Sequence, residues 1–484
     1  MGVTTVNWQG RFAILGWGVS GKASAHALVK RGAQLCAFDG RAREDDQSEN
    51  DANVEFVSEA DSDALAQAVL DWKPDCIVVS PGIPAHHPIF SAAKNAGIEL
   101  IGEVELAWRL QEDSEQAGRP WLCVTGTNGK TTTVGMLGAM LRAAGENAVE
   151  VGNIGLPICE AIDTDATVFA VELSSFQLHT VSTVSPLASV CLNVDADHLD
   201  WHGSAQAYAA DKAKVYHLTQ KACFYPASDI TVENMVAEAD VVEGARAIGL
   251  TLGIPSISQV GWVEDALVER AFVEKRHMQA QFLAEVDDLR VAYHDGVTDA
   301  ARMDATAAAG LARAFGVPPE AVAQGLRSFT PAHHRRAVIS HAADVTWIDD
   351  SKATNAHAAV ASLSGITPGT AVWIAGGDTK GQEFGDLVAR VAPLLRGVVV
   401  IGKDRSAIVY ALRQRAPQIP FVEVDGHEDW MFSVVNEAVA LSRPGDTVVL
   451  APACASWDQF RSYAQRGDVF RDAVKRLEAN WAAQ

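Results

Sequence analysis

The chain has 484 residues, too many for one ordinary domain, and a prior of roughly 100–200 residues per domain divides it into about three. With 48% apolar residues it can build packed cores, which sets aside a disordered chain. A formal charge of −22 argues against nucleic acid or an anionic membrane surface as a partner, and it obliges any phosphate site to gather its cations locally.

The seven cysteines are odd in number, widely spread and free of any C-x-x-C spacing, so neither a disulfide framework nor a thiolate zinc site is expected. Cys123 and Cys191 sit inside apolar runs and read as small buried hydrophobes in a reducing cytoplasm. The N-terminus lacks the basic, apolar and small-residue succession of a signal peptide. No apolar stretch approaches the ~20 residues that span a bilayer.

In chain order, Phe12 to Leu15 reads as a strand, Lys22 to Arg31 as a helix, and Gln34 to Phe38 and Cys76 to Val79 as further strands. This is the rhythm of βαβ units on a parallel sheet. The polar stretch Gln111 to Pro120 reads as a linker. Beyond it, Trp121 to Val124 is a predicted strand, followed by a Gly-rich turn and a helix from about Thr131 to Ala144. Strands are expected at Thr167 to Val171 and Ser189 to Leu192, some more between Ser228 and Tyr293, and an Ala-rich helix at Asp304 to Phe315. From near Phe329-Thr330-Pro331, five apolar runs (Val345 to Ile348, Ala371 to Ala375, Gly397 to Ile401, Phe421 to Val424, Thr447 to Ala451) predict a second parallel sheet of buried strands.

Two glycine-rich turns carry chemistry. Gly16-Trp17-Gly18-Val19-Ser20-Gly21 follows a strand and opens a helix, and Asp39 ends the next strand. That pattern lets a pyrophosphate approach the backbone at a helix N-terminus and lets an acid meet a ribose hydroxyl. Taken alone it leaves open a nicotinamide-dependent oxidoreductase, or a plain βα turn. The second, Thr125-Gly126-Thr127-Asn128-Gly129-Lys130-Thr131-Thr132, also joins strand to helix. Its amides can cradle phosphates, with Lys130 reaching the outer ones and the Thr131 hydroxyl meeting Mg²⁺. The first Gly of the usual P-loop would fall at Val124, and Gly126 stands closer in.

Gly-Thr-Asn-Gly-Lys-Thr-Thr resembles the ATP loop of the Mur ligases and folylpolyglutamate synthetases, three-domain amide-forming ligases. The runs Gly152-Asn153-Ile154-Gly155, Glu172-Leu-Ser-Ser-Phe-Gln-Leu178, Asp350-Ser-Lys-Ala-Thr-Asn355 and Pro452-Ala-Cys-Ala-Ser-Trp-Asp-Gln-Phe460 resemble the D-glutamate-adding branch of the Mur ligases. The matches run over nearly the whole chain and are weakest from Ser228 to Arg302.

The resemblance implies an α/β protein of three domains: a Rossmann-like domain at 1–116 for the UDP part of the substrate, a P-loop ATPase domain at 117–330, and a Rossmann-like domain at 331–484 for the amino acid. It implies ATP and Mg²⁺ as cofactors, and UDP-N-acetylmuramoyl-L-alanine and D-glutamate as substrates. A cytoplasmic monomer with neither nucleic acid nor membrane as partner is expected. ATP would lie on Gly126, Thr127, Asn128, Gly129, Lys130, Thr131 and Thr132, with Arg335, Asp350 and Lys352 from the third domain. Thr131, Glu172, His198 and a carbamylated Lys212 would hold Mg²⁺, with Asp197 orienting the His198 ring; Lys130, His198 and Lys212 would be catalytic. Substrates would meet Gly16, Gly18, Gly21, Asp39, Arg41, Ser80, Gly82 and Asn153, and, for the amino acid, Thr354, Lys380, Ser456 and the backbone around Tyr463.

Read without the resemblance, Lys212 is a helix-surface lysine, Glu172 a helix cap or solvated carboxylate and His333-His334-Arg335-Arg336 a solvated basic patch, while Lys380 can pair with a substrate carboxylate or belong to a Gly-rich surface turn. The chain departs from the family in four places. Ala300-Ala301-Arg302-Met303-Asp304 replaces a His-Asn-x-x-Asn run near the adenine, Asp211 stands where small residues are usual, Asp349 precedes Asp350 in place of Asn, and Ala451 replaces a common Ser.

Overall fold

The computed structural model describes residues 7–42, 54–195, 197–293, 296–426 and 429–482. It is a mixed α/β protein with three sheets in two compact units, Met1–Asp288 with Met303–Ser328, and Leu289–Arg302 with Phe329–Gln484.

The first unit carries two sheets. In one, β1 (Arg11–Leu15), β2 (Gln34–Asp39), β3 (Glu55–Ser58), β4 (Cys76–Val79) and β5 (Glu99–Gly102) are all parallel in the order β3-β2-β1-β4-β5. The order reverses direction between β1 and β4, so a crevice opens beyond their carboxyl ends, where ligands of such sheets bind. The other sheet holds β6 (Trp121–Thr125), β7 (Ala148–Gly152), β8 (Val168–Glu172), β9 (Ala188–Cys191), β10 (Ala222–Pro226), β11 (Arg246–Leu250), β12 (Gln259–Val263), β13 (Ala266–Glu269) and β14 (Gln281–Glu285). Their order is β14-β13-β12-β11-β10-β9-β6-β8-β7, parallel except where β13 pairs antiparallel with β12 and β14. Strands β4, β6, β8 and β9 are buried along their whole length, because a parallel sheet is covered by helices on both faces and needs continuous apolar runs.

The stretch expected to be a linker is more ordered than its polarity indicates. The helix Glu103–Glu112 runs into it, and Gln111 is fully buried. Its side chain accepts from Trp121 Nε1 at 2.9 Å and donates to the Arg119 carbonyl at 3.1 Å. Burial of an amide is tolerated when its donor and acceptor are both matched, as here. The same helix ties two acids to the helix Ile158–Ala161 and to the loop before β9. Glu103 accepts from Cys159 N at 2.8 Å, and Glu105 accepts from the amides of Ser182 and Thr183 at 2.9 and 3.0 Å.

The second unit holds β15 (Ala337–Ser340), β16 (Thr346–Asp349), β17 (Ala371–Gly376), β18 (Leu395–Ile401), β19 (Phe421–Glu423) and β20 (Thr447–Leu450), in the order β15-β16-β20-β17-β18-β19. The five expected strands form here, and β15 adds an antiparallel edge to them. The Ala-rich helix spans Asp299–Phe315, five residues longer at its start than Asp304 to Phe315. All seven cysteines are buried and free.

Candidate active site

The turn after β1 uses its three glycines differently. Gly16 has φ +93°, a conformation costly for any residue with a Cβ. A Cβ on Gly21 would lie 2.0 Å from the Gly16 carbonyl oxygen, so only glycine lets the helix Val19–Val29 start this close to the turn. Around Gly18, and around Gly82 in the facing loop, nothing comes within 4 Å of where a side chain would be, which leaves backbone open to a ligand. Ser80, just after β4, donates from Oγ to the Gly16 carbonyl at 2.7 Å and ties the two sides of the crevice together. Asp39 is held from both sides: Oδ2 accepts from Trp17 N at 2.7 Å and Oδ1 from Arg41 N at 2.9 Å. Burial works against its charge, but those amides and the Arg41 guanidinium keep the carboxyl below its usual range. Arg41 itself is largely exposed.

The phosphate loop follows β6, with β8 and β9 on either side. Thr127 N donates to the Asn193 carbonyl at 3.0 Å, and Asn128 N to Asn193 Oδ1 at 2.9 Å, so the segment after β9 clamps the loop. The helix Lys130–Ala143 begins directly from Gly129. Thr131 Oγ1 donates to Glu172 Oε2 at 2.7 Å, and Asn153 Nδ2 donates to Glu172 Oε1 at 2.8 Å. Glu172 is 1% exposed, at the end of β8. A buried carboxylate is stable there because hydrogen bonds reach both of its oxygens.

Two lysines converge on one carbonyl. Lys130 Nζ donates to the Gly126 oxygen at 2.8 Å, and Lys212 Nζ donates to the same oxygen at 2.7 Å. Lys212 is 2% exposed, so it is no surface lysine. Burial, then the Lys130 charge, lower its ammonium pKa to about 7, and at physiological pH a large fraction is neutral amine. Its helix, Ala205–Ala213, is also tied to the loop through Tyr208, whose hydroxyl lies 2.9 Å from Thr127 Oγ1.

His198 is near this cluster in sequence and adopts the left-handed conformation at φ +52°. Its backbone N donates to Asp197 Oδ1 at 2.9 Å, and its Nε2 lies 3.5 Å from Asp197 Oδ2, while its ring meets Phe176 edge-on at 4.7 Å. Ala196 lies outside the described residues. The acidic departure Asp304 comes up to the loop: Thr133 Oγ1 donates to its Oδ1 at 3.3 Å.

The second unit gathers its candidate residues beyond the carboxyl ends of three adjacent strands, β16, β20 and β17. Asp349 is fully buried, accepting from Ser351 N at 3.0 Å and lying 2.6 Å from His334 Nδ1. The pair takes His334 out of the basic patch and gives the Asp349 departure a partner. Burial pushes the Asp350 carboxyl up to about 6, against the Ser362 hydroxyl and the Arg335 and Arg336 charges. Lys352 Nζ lies 4.1 Å from the centre of the Tyr463 ring, a cation–π contact. Thr354 follows, its amide donating to the Lys352 carbonyl at 2.8 Å, and Asn355 caps the helix Ala356–Leu363. Lys380 has φ +49° in the turn after β17, with its amide on Asp378 Oδ1 at 3.1 Å. Ser456 is 3% exposed, next to the two-way backbone pairing of Asp378 with Ala455.

Arg466 binds these loops into one body. It is 1% exposed, donating to Ser351 Oγ at 3.0 Å, the Ser351 carbonyl at 2.8 Å and the Cys454 carbonyl at 3.1 Å. Ser351 Oγ in turn donates to the Tyr463 carbonyl at 2.7 Å.

Comparison with known families places the whole arrangement. Residues 10–102 match the model of the Mur ligase MurD-like N-terminal domain, 124–249 the Mur ligase middle domain and 334–454 the Mur ligase glutamate ligase domain. The chain belongs to the Mur ligase family. It is 47% identical over 473 residues to the "UDP-N-acetylmuramoylalanine--D-glutamate ligase" of Streptomyces coelicolor, covering 96% of this chain and 98% of that one. It is 44% identical over 472 residues to the protein of the same name from Thermobifida fusca, covering 96% and 98%. Among solved structures, the MurF ligase of Thermotoga maritima in complex with ADP shares 16% identity and a TM-score of 0.57 over 97% of this chain and 95% of that one. A pseudomurein peptide ligase type C from Methanothermus fervidus gives 15% identity and a TM-score of 0.56 over 97% and 100%. These structures share the fold of this Mur ligase.

In this Mur ligase, Lys130, Thr131, Asn153, Glu172 and Lys212 come together in the first unit, as do Gly16, Gly18, Gly21, Asp39 and Ser80 around the crevice of the first sheet. Among the described residues, no three His, Cys, Asp or Glu side chains form a ready metal cluster. The donors that fit a magnesium ion are instead the oxygens of Thr131 and Glu172 beside the phosphate loop, the hard ligands this ion takes. Sequence reasoning missed Tyr208, Arg466 and the His334–Asp349 pair. Their only signal is position within or next to a recognised motif, and each acts through a partner remote in sequence.

Proposed function

We infer that the chain ligates D-glutamate to the alanyl carboxylate of UDP-N-acetylmuramoyl-L-alanine, driven by ATP, in peptidoglycan precursor synthesis. The observation that carries the reading is the convergence of Lys130 and Lys212 on the Gly126 carbonyl, beside the Thr131–Glu172 pair. It supplies a phosphate cradle, a cation and an amine able to carry a carbamate. The near-full-length likeness to enzymes named for this reaction supports the substrates.

The uridine nucleotide lies on the Gly16–Gly21 turn, its pyrophosphate against the open backbone at Gly18. ATP lies on the Gly126–Thr132 loop. Lys130 exchanges its loop carbonyls for the outer phosphates and stabilises charge on the transferring γ-phosphoryl group. The alanyl carboxylate attacks that group, giving an acyl phosphate and ADP. The glutamate amine then attacks the acyl carbon, and phosphate leaves from the tetrahedral intermediate as the amide forms. Most of the acceleration comes from positioning and electrostatics.

Thr131, Glu172, His198 and a carbamylated Lys212 would hold Mg²⁺, which when bound neutralises phosphate charge. The neutral fraction of Lys212 suits carbamylation, because only the free amine captures carbon dioxide. In the second unit, Arg335, Asp350 and Lys352 serve ATP, and Thr354, Lys380, Ser456 and the Tyr463 backbone serve the two glutamate carboxylates. We propose domain limits of 1–116, 117–330 and 331–484, and a cytoplasmic monomer without nucleic-acid or membrane partners. Free buried cysteines and soluble nucleotide substrates accord with that compartment.

The test is mass spectrometry of the product formed from UDP-N-acetylmuramoyl-L-alanine, ATP and Mg²⁺ with either glutamate enantiomer. A glutamyl adduct with D-glutamate alone is expected, and an adduct with L-glutamate alone, or none, would overturn the reading.

A further inference from the structure

A small hollow, partly open to solvent, lies beside the crevice of the first sheet, with Ser80, Phe90, Phe176, His179 and Trp201 among its walls. Ser80 is the residue bonded to the Gly16 carbonyl, so this hollow adjoins the Gly16–Gly21 turn. Three aromatic rings with a few polar groups are the chemistry of a sugar site, in which rings cover C–H faces and polar atoms meet hydroxyls or amides.

His179 is one of the polar walls, held in place by rings and a carboxylate. Its ring stands edge-on to Phe90 at 5.4 Å and to Trp201 at 5.3 Å. Its Nδ1 lies 2.8 Å from Asp211 Oδ2. Asp211 is 6% exposed and also takes His202 Nδ1 at 3.0 Å and Lys214 Nζ at 3.0 Å. A carboxylate so surrounded only accepts, so both imidazoles present Nδ1–H to it. In neutral His179 the lone pair is therefore on Nε2, and that nitrogen has no protein partner among the described residues. The side chain is 27% exposed.

We propose that His179 is a substrate-binding residue, accepting at Nε2 a hydrogen bond from an N–H or O–H of the amino sugar of the nucleotide substrate. Asp211 is a positioning residue, fixing the ring and its tautomer. The inference rests on the ligase reading and names a contact within it. It also gives the unusual acid beside Lys212 a task other than metal binding.

Calorimetric titration with UDP-N-acetylmuramoyl-L-alanine, alongside steady-state kinetics, tests it on wild type, His179→Leu, His179→Gln, Asp211→Asn and the double variant H179L/D211N. His179→Leu is expected to weaken binding and raise the KM for this substrate about tenfold, the worth of one hydrogen bond, with the KM for ATP and D-glutamate unchanged. His179→Gln, which keeps an acceptor, should recover part of the loss. Asp211→Asn should raise the same KM, and the double variant should be no worse than His179→Leu. A folded His179→Leu that binds the nucleotide as wild type does, while wild type turns over, overturns this inference alone. Wild type without D-glutamate-dependent turnover overturns the ligase reading and this inference with it.

Discussion

The Thr131 hydroxyl donates to Glu172 at 2.7 Å, joining the first turn of the helix after the phosphate loop to the end of the neighbouring strand. The contact fixes an oxygen-rich corner at the place where a helix N-terminus and its amides already favour phosphate. Lys130 rests one residue away on the loop's own carbonyls, which satisfy its charge.

Lys130→Ala is therefore expected to reduce kcat by about 10²–10³-fold or more, the usual cost of removing one preorganised charge donor. The fold should survive, because the lost bonds go to loop carbonyls and not to a buried carboxylate. Steady-state kinetics with a circular dichroism melt separate the two effects. Near-wild-type kcat in a folded variant would remove Lys130 from the chemistry.

Lys212→Ala should lose most activity and regain part of it in short carboxylic acids, which can occupy the space of a lysine carbamate. Wild-type activity should also fall as pH drops below about 7, since protonation of the amine competes with carbamate formation. Rates across pH with and without added bicarbonate and acetate would check this. Full activity of Lys212→Ala without additives, or no response to any acid, would exclude the carbamate.

Much of the first unit was legible because its signals are contiguous. Gly126 to Thr132 and Gly16 to Gly21 each place a turn between an apolar strand and a helix, and no remote contact is needed to recognise them. The Leu-Ser-Ser-Phe-Gln run was legible as a motif, but part of its purpose is local: Ser174 and Gln177 form a reciprocal capping box on the helix Ser175–Leu178. Some short edge strands were not legible. Glu55–Ser58 is half exposed and lacks the continuous apolar run of a central strand. Polar pairs closed over long separations were invisible too. Gln111 read as the start of a linker, and Asp211 and Asp349 as bare departures from the family, until their partners Trp121, His179 and His334 are seen beside them.

Arg466 illustrates the same limit in the second unit, where a buried guanidinium satisfies carbonyls and one hydroxyl from two separate loops. Burial lowers its pKa to about 10, so it stays charged near neutrality. Arg466→Lys cannot reproduce the fork and would leave buried acceptors unmatched. A loss of about 2–4 kcal/mol in stability is expected, with a raised KM for the amino-acid substrate. Denaturant melts and kinetics would check both; unchanged values in each would show that the loops hold without it.

Glu103 gives a pH-dependent test of the helix that joins the two sheets of the first unit. Burial raises its carboxyl pKa to about 7, although the amides of Cys159 and Ile158 oppose the shift. A carboxyl whose folded pKa is raised contributes stability fully below its unfolded value near 4.5 and loses it as pH rises through about 7. Glu103→Gln, which keeps the acceptor for Cys159 N, should thus match wild type at pH 4 and exceed it in denaturant midpoint at pH 8. Equal midpoints at both values would mean that Glu103 titrates normally.

The central claim is most directly tested by phosphate release from ATP and Mg²⁺ with UDP-N-acetylmuramoyl-L-alanine across a panel of amino acids. Release with D-glutamate, and with no other acceptor, is the result predicted here. Release with a different acceptor, or no release with D-glutamate, would contradict it.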